Sequence, residues 1–150
     1  MKQWPPFDAN GDLPHGLHQA SLQQVMAHFD DGSAQRRLVA ERLRRIYHLA
    51  MQTNAVRRFI IFGSFVTDKV APNDADVFLV MENHFDIEAV VGEAKHVFDH
   101  MAAHNLLGAS IFWIPLAACL DGEEESVLYW TIKRDKTHRG IVEVTQYDQE

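Results

Sequence analysis

The chain changes its spacing of apolar and polar positions several times, and each change marks an element. Ser21 with Gln24 forms a capping box that opens a short helix, "SLQQVMAHF". After the turn "DDGS", Ser33 caps a longer helix over about 34 to 52, in which Val39, Leu43, Ile46, Tyr47 and Ala50 recur at helical spacing as one buried stripe. "RRFIIFG" is apolar almost throughout and reads as a strand covered on both faces, and "ADVFLVM" reads as a second. Asp86 caps a predicted helix running to about 105, with Ile87, Val90, Val91, Ala94, Val97, Phe98, Met101 and Ala102 as its inward face. "ASIFWIPLA" is a third strand. "VLYWTIKR" fits helix or strand, and the β-branched "GIVEVTQY" favours a strand. Residues 1–20, interrupted by Pro5, Pro6, Pro14, Gly11 and Gly16, read as an N-terminal arm without regular structure. The pattern therefore predicts an α/β (α+β) domain over 21–150, a small mixed sheet with helices packed against it.

Composition narrows this only in part. A length of 150 residues suits one domain, and 47% hydrophobic with 23% charged residues is the balance of an ordinary globular protein. The N-terminus lacks the apolar stretch of a signal peptide, and no run approaches the roughly 20 apolar residues that span a bilayer. With Cys119 the only cysteine, and so no internal disulfide, the expectation is a cytoplasmic protein with no membrane partner. Cys119 follows "IFWIPLAA" and reads as a small core hydrophobe. A net charge of -7 argues against nonspecific coating of nucleic acid, which needs many basic contacts, but leaves room for one small phosphate ligand. Arg36, Arg37, Arg42, Arg44 and Arg45 read as the solvated face of the second helix.

The candidate chemistry lies in "FGSFVTDKVAPNDADVFLV", residues 62–80. In an extended segment alternate side chains share a face, so Asp74 and Asp76 project to the same side at the mouth of a strand. Two like charges there call for a cation, and two carboxylates beside substrate phosphates are the usual protein share of a magnesium site. Gly63 ends the preceding strand and permits close approach of a ligand to the backbone, and Ser64 adds a hydroxyl donor. "SFVTDK" reads as a short helix whose first amides face an anion; Lys69 is a candidate for a distal phosphate oxygen, although a solvated loop lysine is the preferred reading.

In order and spacing, Phe62, Gly63, Ser64, a ten-residue step to Asp74, then Ala75, Asp76 and Val77 resemble the signature of the nucleotidyltransferase superfamily, the DNA polymerase beta-like fold that includes minimal nucleotidyltransferases. Most of residues 12–81 is similar to the opening of a group of short bacterial proteins with nucleotidyltransferase-like cores. The resemblance implies a nucleotidyltransferase-like fold and transfer of a nucleoside monophosphate from a nucleoside triphosphate to a hydroxyl acceptor. By it Asp74 and Asp76 would be catalytic and hold Mg2+, while Gly63, Ser64 and Lys69 would bind the nucleotide. It leaves open the acceptor, the preferred base, and whether a homodimer or a protein partner completes the site.

One departure from the signature stands out. Active members place a third carboxylate on a later strand, and "ASIFWIPLA" has none; Ser110 stands where it is expected, with Asp121, Glu123, Glu124 or Glu143 as substitutes. The alternative is a catalytically degenerate protein acting as a binding or regulatory module, such as one partner of a toxin-antitoxin-like pair. Two other features carry less. His96, His100 and His104 recur every four residues, a spacing open to metal, but lie on the polar side of the predicted helix and read as a solvent-facing row. Tyr129 and Trp130 are open to stacking a nucleobase, whereas Trp113 sits in an apolar strand and reads as core.

Overall fold

The apolar runs of the sequence become the strands of one sheet in the computed structural model, which describes residues 2–146. The strands are β1 (Gly16–Ser21), β2 (Val56–Phe62), β3 (Ala75–Met81), β4 (Ala109–Pro115) and β5 (Gly140–Thr145), in the order β1-β5-β2-β3-β4. β5 pairs antiparallel with β2 and β2 antiparallel with β3, while the flanking pairs β1/β5 and β3/β4 are parallel. The fold is α+β, with a mixed sheet and helices packed on it.

Alternation along the strands divides the core in two. Phe59, Ile61, Val77, Leu79, Ala109, Ile111 and Val142 face α1 (Leu22–Phe29) and α2 (Ala34–Met51), whose buried Val25, Phe29, Val39, Leu43 and Ile46 complete the larger cluster. On the opposite face Ile60, Phe78, Val80 and Ile141 form a smaller cluster, with Val127 of α4 (Glu123–Leu128) and Trp130 packed on it. The expected capping box is present: Ser21 Oγ accepts from Gln24 N at 3.2 Å, and Gln24 Oε1 accepts from Ser21 N at 3.0 Å. Ser33 likewise caps α2.

Two expectations are corrected and one open reading is resolved. Residues 16–21 of the supposed arm are β1, in register with β5 from Gly16↔Gly140 to Ser21↔Thr145, and Leu13 just before them is fully buried. An edge strand has one unpaired side and accepts polar residues such as His18 and Gln19, so its apolar pattern is weak.

The single helix expected over about 86 to 105 is broken. A 3₁₀ turn at Ile87–Ala89, a 3₁₀ segment at Gly92–Phe98, the short α3 (His100–Ala102) and a π turn at Ala103–Leu107 follow one another. Gly92 at φ +66 and Asp99, which caps α3, reset the chain direction. Val90, Ala94, Val97 and Phe98 are buried as expected, but Ile87, Val91 and Met101 of the predicted stripe face outward.

The ambiguous "VLYWTIKR" is the end of α4, then a 3₁₀ turn at Tyr129–Thr131. Tyr147, the last residue of the predicted final strand, lies outside the described residues. No helix among the described residues is long and apolar enough to cross a membrane.

Candidate functional site

Strand pairing gathers the predicted residues at one end of the sheet. β2 and β3 form an antiparallel pair in which Phe62 stands opposite Asp76, so Gly63 leaves β2 beside that aspartate. Asp76 in turn stands opposite Ser110 of β4. By alternation Asp76 and Ser110 share the face of Phe78, the one carrying the smaller cluster. Asp74, one residue before β3, is half-buried, and its Oδ2 accepts from Ser110 Oγ at 3.2 Å.

Gly63 is required twice over. Its φ of +84 disfavours any side chain, and a Cβ there would collide with the Asp76 carboxylate. The following turn, Ser64–Val66, is a single 3₁₀ turn closed by Thr67, whose N and Oγ1 both donate to Ser64 O, at 3.2 and 2.6 Å. The expected helix over "SFVTDK" is thus one turn long.

A buried guanidinium holds this loop from behind. Arg36, read from sequence as part of a solvated face, is only 5% exposed, and it donates to four carbonyls: Phe29 and Phe65 through Nη1, Thr67 through Nη2 and Lys69 through Nε. Helical spacing puts Arg36 three residues before Val39 and seven before Leu43, on the buried side of α2, so the reading of it as part of a solvated face is corrected. Burial holds the Arg36 guanidinium below its usual range, with Asp68 acting in the opposite direction.

The acid pair carries strong electrostatic tension. Burial first, then the charge of Asp74 and a hydrogen bond shared with it, push the Asp76 carboxyl up to about 7; Arg139 and then Arg134 pull it back. Near neutral pH the Asp76 carboxyl is therefore poised between its protonated and ionised forms. A divalent cation would remove that conflict.

Most substitutes for the third acid are committed elsewhere. Glu143, 6% exposed on β5, accepts from Arg58 Nε at 2.5 Å and Arg58 Nη2 at 3.1 Å, and its Oε1 also accepts from Gln19 at 3.1 Å. Glu123 and Glu124 pair with the same Arg58 through its Nη1, at 3.0 and 2.7 Å, and Glu123 also accepts from Arg57. Glu143 stands opposite Ile60, two residues along the sheet and two strands across from Asp76, roughly 12 Å away by strand geometry. Asp121 is exposed and lines an open cleft of about 310 Å3 with Phe78, Glu125, Tyr129 and Trp130. Among the described residues no three His, Cys, Asp or Glu side chains converge as a metal cluster. Asp74 and Asp76 thus fit magnesium if further oxygen ligands come with the substrate.

Other candidates are placed as follows. Lys69 is exposed, and its backbone carbonyl is occupied by Arg36. Trp130 is half-buried within an aromatic group on the site's face, 4.5 Å from Phe62, 5.1 Å from Phe78 and 5.1 Å from Phe112 between ring centroids, while Tyr129 is exposed against its edge. Trp113 packs on the larger core, edge-on to Phe85 and Phe98, and donates to Phe98 O at 3.1 Å. His100 and His104 are exposed and His96 half-buried, on different turns of the broken helix. Cys119 is half-buried against the smaller cluster.

Two residues beside the acid pair escaped the sequence reading. Arg134 and Arg139 lie in "IKRDKTHRG", whose local excess of Lys and Arg in a chain of net charge -7 was the available signal. Over residues 5–145 the chain matches a family of unknown function (DUF6932), and it belongs to that family. No curated protein and no solved structure matches it.

Proposed function

We propose that this family member binds a nucleoside triphosphate together with Mg2+ at Asp74 and Asp76, and transfers a nucleoside monophosphate to a hydroxyl acceptor. The observation that carries the reading is the facing of Gly63 and Asp76. Backbone stripped of any side chain meets a carboxylate that burial and a second carboxylate make reluctant to ionise. That combination suits a phosphate-bound cation better than it suits folding, because a fold without a ligand gains nothing from juxtaposed acids.

Asp74 and Asp76 would hold the magnesium, which when bound there neutralises charge on the phosphate oxygens. The chain's own contribution is positioning. Arg36 fixes the loop carbonyls, and Ser110 orients Asp74 through its hydroxyl. In the transfer, the acceptor oxygen would bond to the α-phosphorus as the bond to pyrophosphate breaks, and the hydroxyl proton would pass to solvent water.

Calorimetry with MgATP and the other magnesium nucleoside triphosphates tests the reading. Binding by the natural protein and its loss in Asp74→Ala/Asp76→Ala is expected; no binding to any of them, or equal binding by the double variant, refutes it.

A second reading, binding without transfer, is supported by Ser110, which occupies the register position beside Asp76 and cannot accept the acceptor's proton as a carboxylate does. It would make the protein a binding or regulatory module. Transfer of labelled nucleotide to any acceptor, abolished by Asp76→Asn, excludes it. Transfer that emerges only in Ser110→Asp supports it.

A further inference from the structure

We propose that Arg139, assisted by Arg134, is the cationic phosphate-binding element of this site, taking the part that the loop sequence suggests for Lys69. The inference rests on the nucleotide-binding reading above and names which of the chain's cations meets the triphosphate.

Register places Arg139 at the site. β5 pairs antiparallel with β2 through Ile60↔Glu143 and Ile61↔Val142, so Arg139, just before β5, lies at the end of the sheet where Gly63 leaves β2, and its long side chain can reach toward β3. Alternation back from Glu143 and Ile141 puts Arg139 on the face of Phe78 and Asp76. Electrostatics agrees, since Arg139 and Arg134 are the cations whose fields reach Asp76.

The guanidinium is also unspent. Among the described residues, Arg139 Nε is the one buried side-chain nitrogen or oxygen without a hydrogen-bond partner. A buried donor of that kind is costly in a folded protein and calls for an acceptor. Asp76 is near enough to feel its charge, yet no ion pair forms between them among the described residues. A planar guanidinium donating two parallel bonds is the side chain best matched to phosphate oxygens.

The segment that carries both arginines is braced. Lys133 N donates to Thr137 O at 2.8 Å, Ile132 bridges to His138, and Asp135 Oδ1 accepts from Thr137 N and Oγ1. Arg139 N donates to Thr131 O at 2.9 Å, and Lys133 Nζ pairs with Asp12 at 2.8 Å. Lys133 is thereby committed to Asp12, whereas Arg134 is exposed and Arg139 faces the acids. Lys69, by contrast, is exposed, and the bonds it makes are through its backbone, to Arg36 and Thr67.

The test is calorimetric titration of the full chain with sodium tripolyphosphate and with ATP, each in the presence of Mg2+. Arg139→Gln should weaken both by about tenfold or more, Arg139→Lys by less, and Arg134→Gln by severalfold, whereas Lys69→Ala stays within about twofold of the natural protein. Arg134 is exposed, so its variant keeps the test valid if Arg139→Gln proves misfolded by circular dichroism. Unchanged affinity in Arg134→Gln and Arg139→Lys, or a larger loss in Lys69→Ala than in either, overturns the assignment while leaving the nucleotide-binding reading standing. If the natural protein binds neither ligand with Mg2+, both fall.

Discussion

One face of the sheet carries two groups of charged side chains, and they are arranged in opposite ways. Around Arg58 three glutamates and a glutamine close into a paired network: Glu143 by two bonds, Glu123 and Glu124 through α4, and Gln19 onto Glu143. At the end of the sheet where β3 begins, Asp74 and Asp76 abut each other, and Arg139 leaves a buried donor unused. The first group explains itself as architecture, because it pins α4 and β5 to β2. The second leaves like charges together and a buried donor unmatched, which is what the proposed cation and phosphate would supply. The difference teaches that satisfied and unsatisfied electrostatics in one environment separate a structural network from a candidate binding site.

Breaking the paired group gives the largest expected effect. Arg58→Met leaves Glu143 buried without its partner and should cost about 3–5 kcal/mol, read as a lowered thermal midpoint at pH 7. The glutamates around Arg58 hold its guanidinium well above its usual range despite the burial, so no change of working pH substitutes for the mutation.

The same kind of change in the unpaired group should have the opposite sign. The Asp76 carboxyl is raised to about 7 from the ordinary 3.8, so between those values the folded chain holds a proton that the unfolded chain has released. The contribution of Asp76 to metal-free stability therefore falls as pH rises from about 4 to about 7 and then levels off. Asp76→Asn removes that loss and should stabilise the metal-free protein by roughly 2–4 kcal/mol at pH 8, with the gain shrinking toward pH 4. Thermal unfolding in a chelator across that range checks it; a variant less stable than the natural protein at pH 8 would remove the contrast.

The smallest effect sharpens the first group. Glu124→Gln touches its exposed rim, and urea unfolding should show a loss of about 0.5 kcal/mol or less.

These contrasts were legible in the sequence to different degrees. β2, β3 and β4 are apolar runs bounded by turns, and Asp74 and Asp76 needed only the two-residue period to be put on one side. Placing Ser110 beside Asp76 needed only that β4 be read as a strand next to β3. Arg139 was invisible because its position comes from β5 pairing with β2, a contact between segments about 80 residues apart that no local period encodes. Glu143 looked like a free acid for the same reason, since its partner Arg58 comes from that distant strand. The break at Gly92 was missed because the apolar spacing on either side of it continues in helical phase, although the backbone does not.

The grip of Arg36 on the loop after Gly63 has a kinetic consequence. Four carbonyls spread over residues 29–69 end on one guanidinium, so displacing the Gly-Ser turn would strand several buried polar groups at once. That turn is a fixed wall and not a door. On the proposed reading, admission and release of the nucleotide would then fall to the other side of the acids, toward the exposed Phe112 of β4 and the segment that carries Arg134 and Arg139.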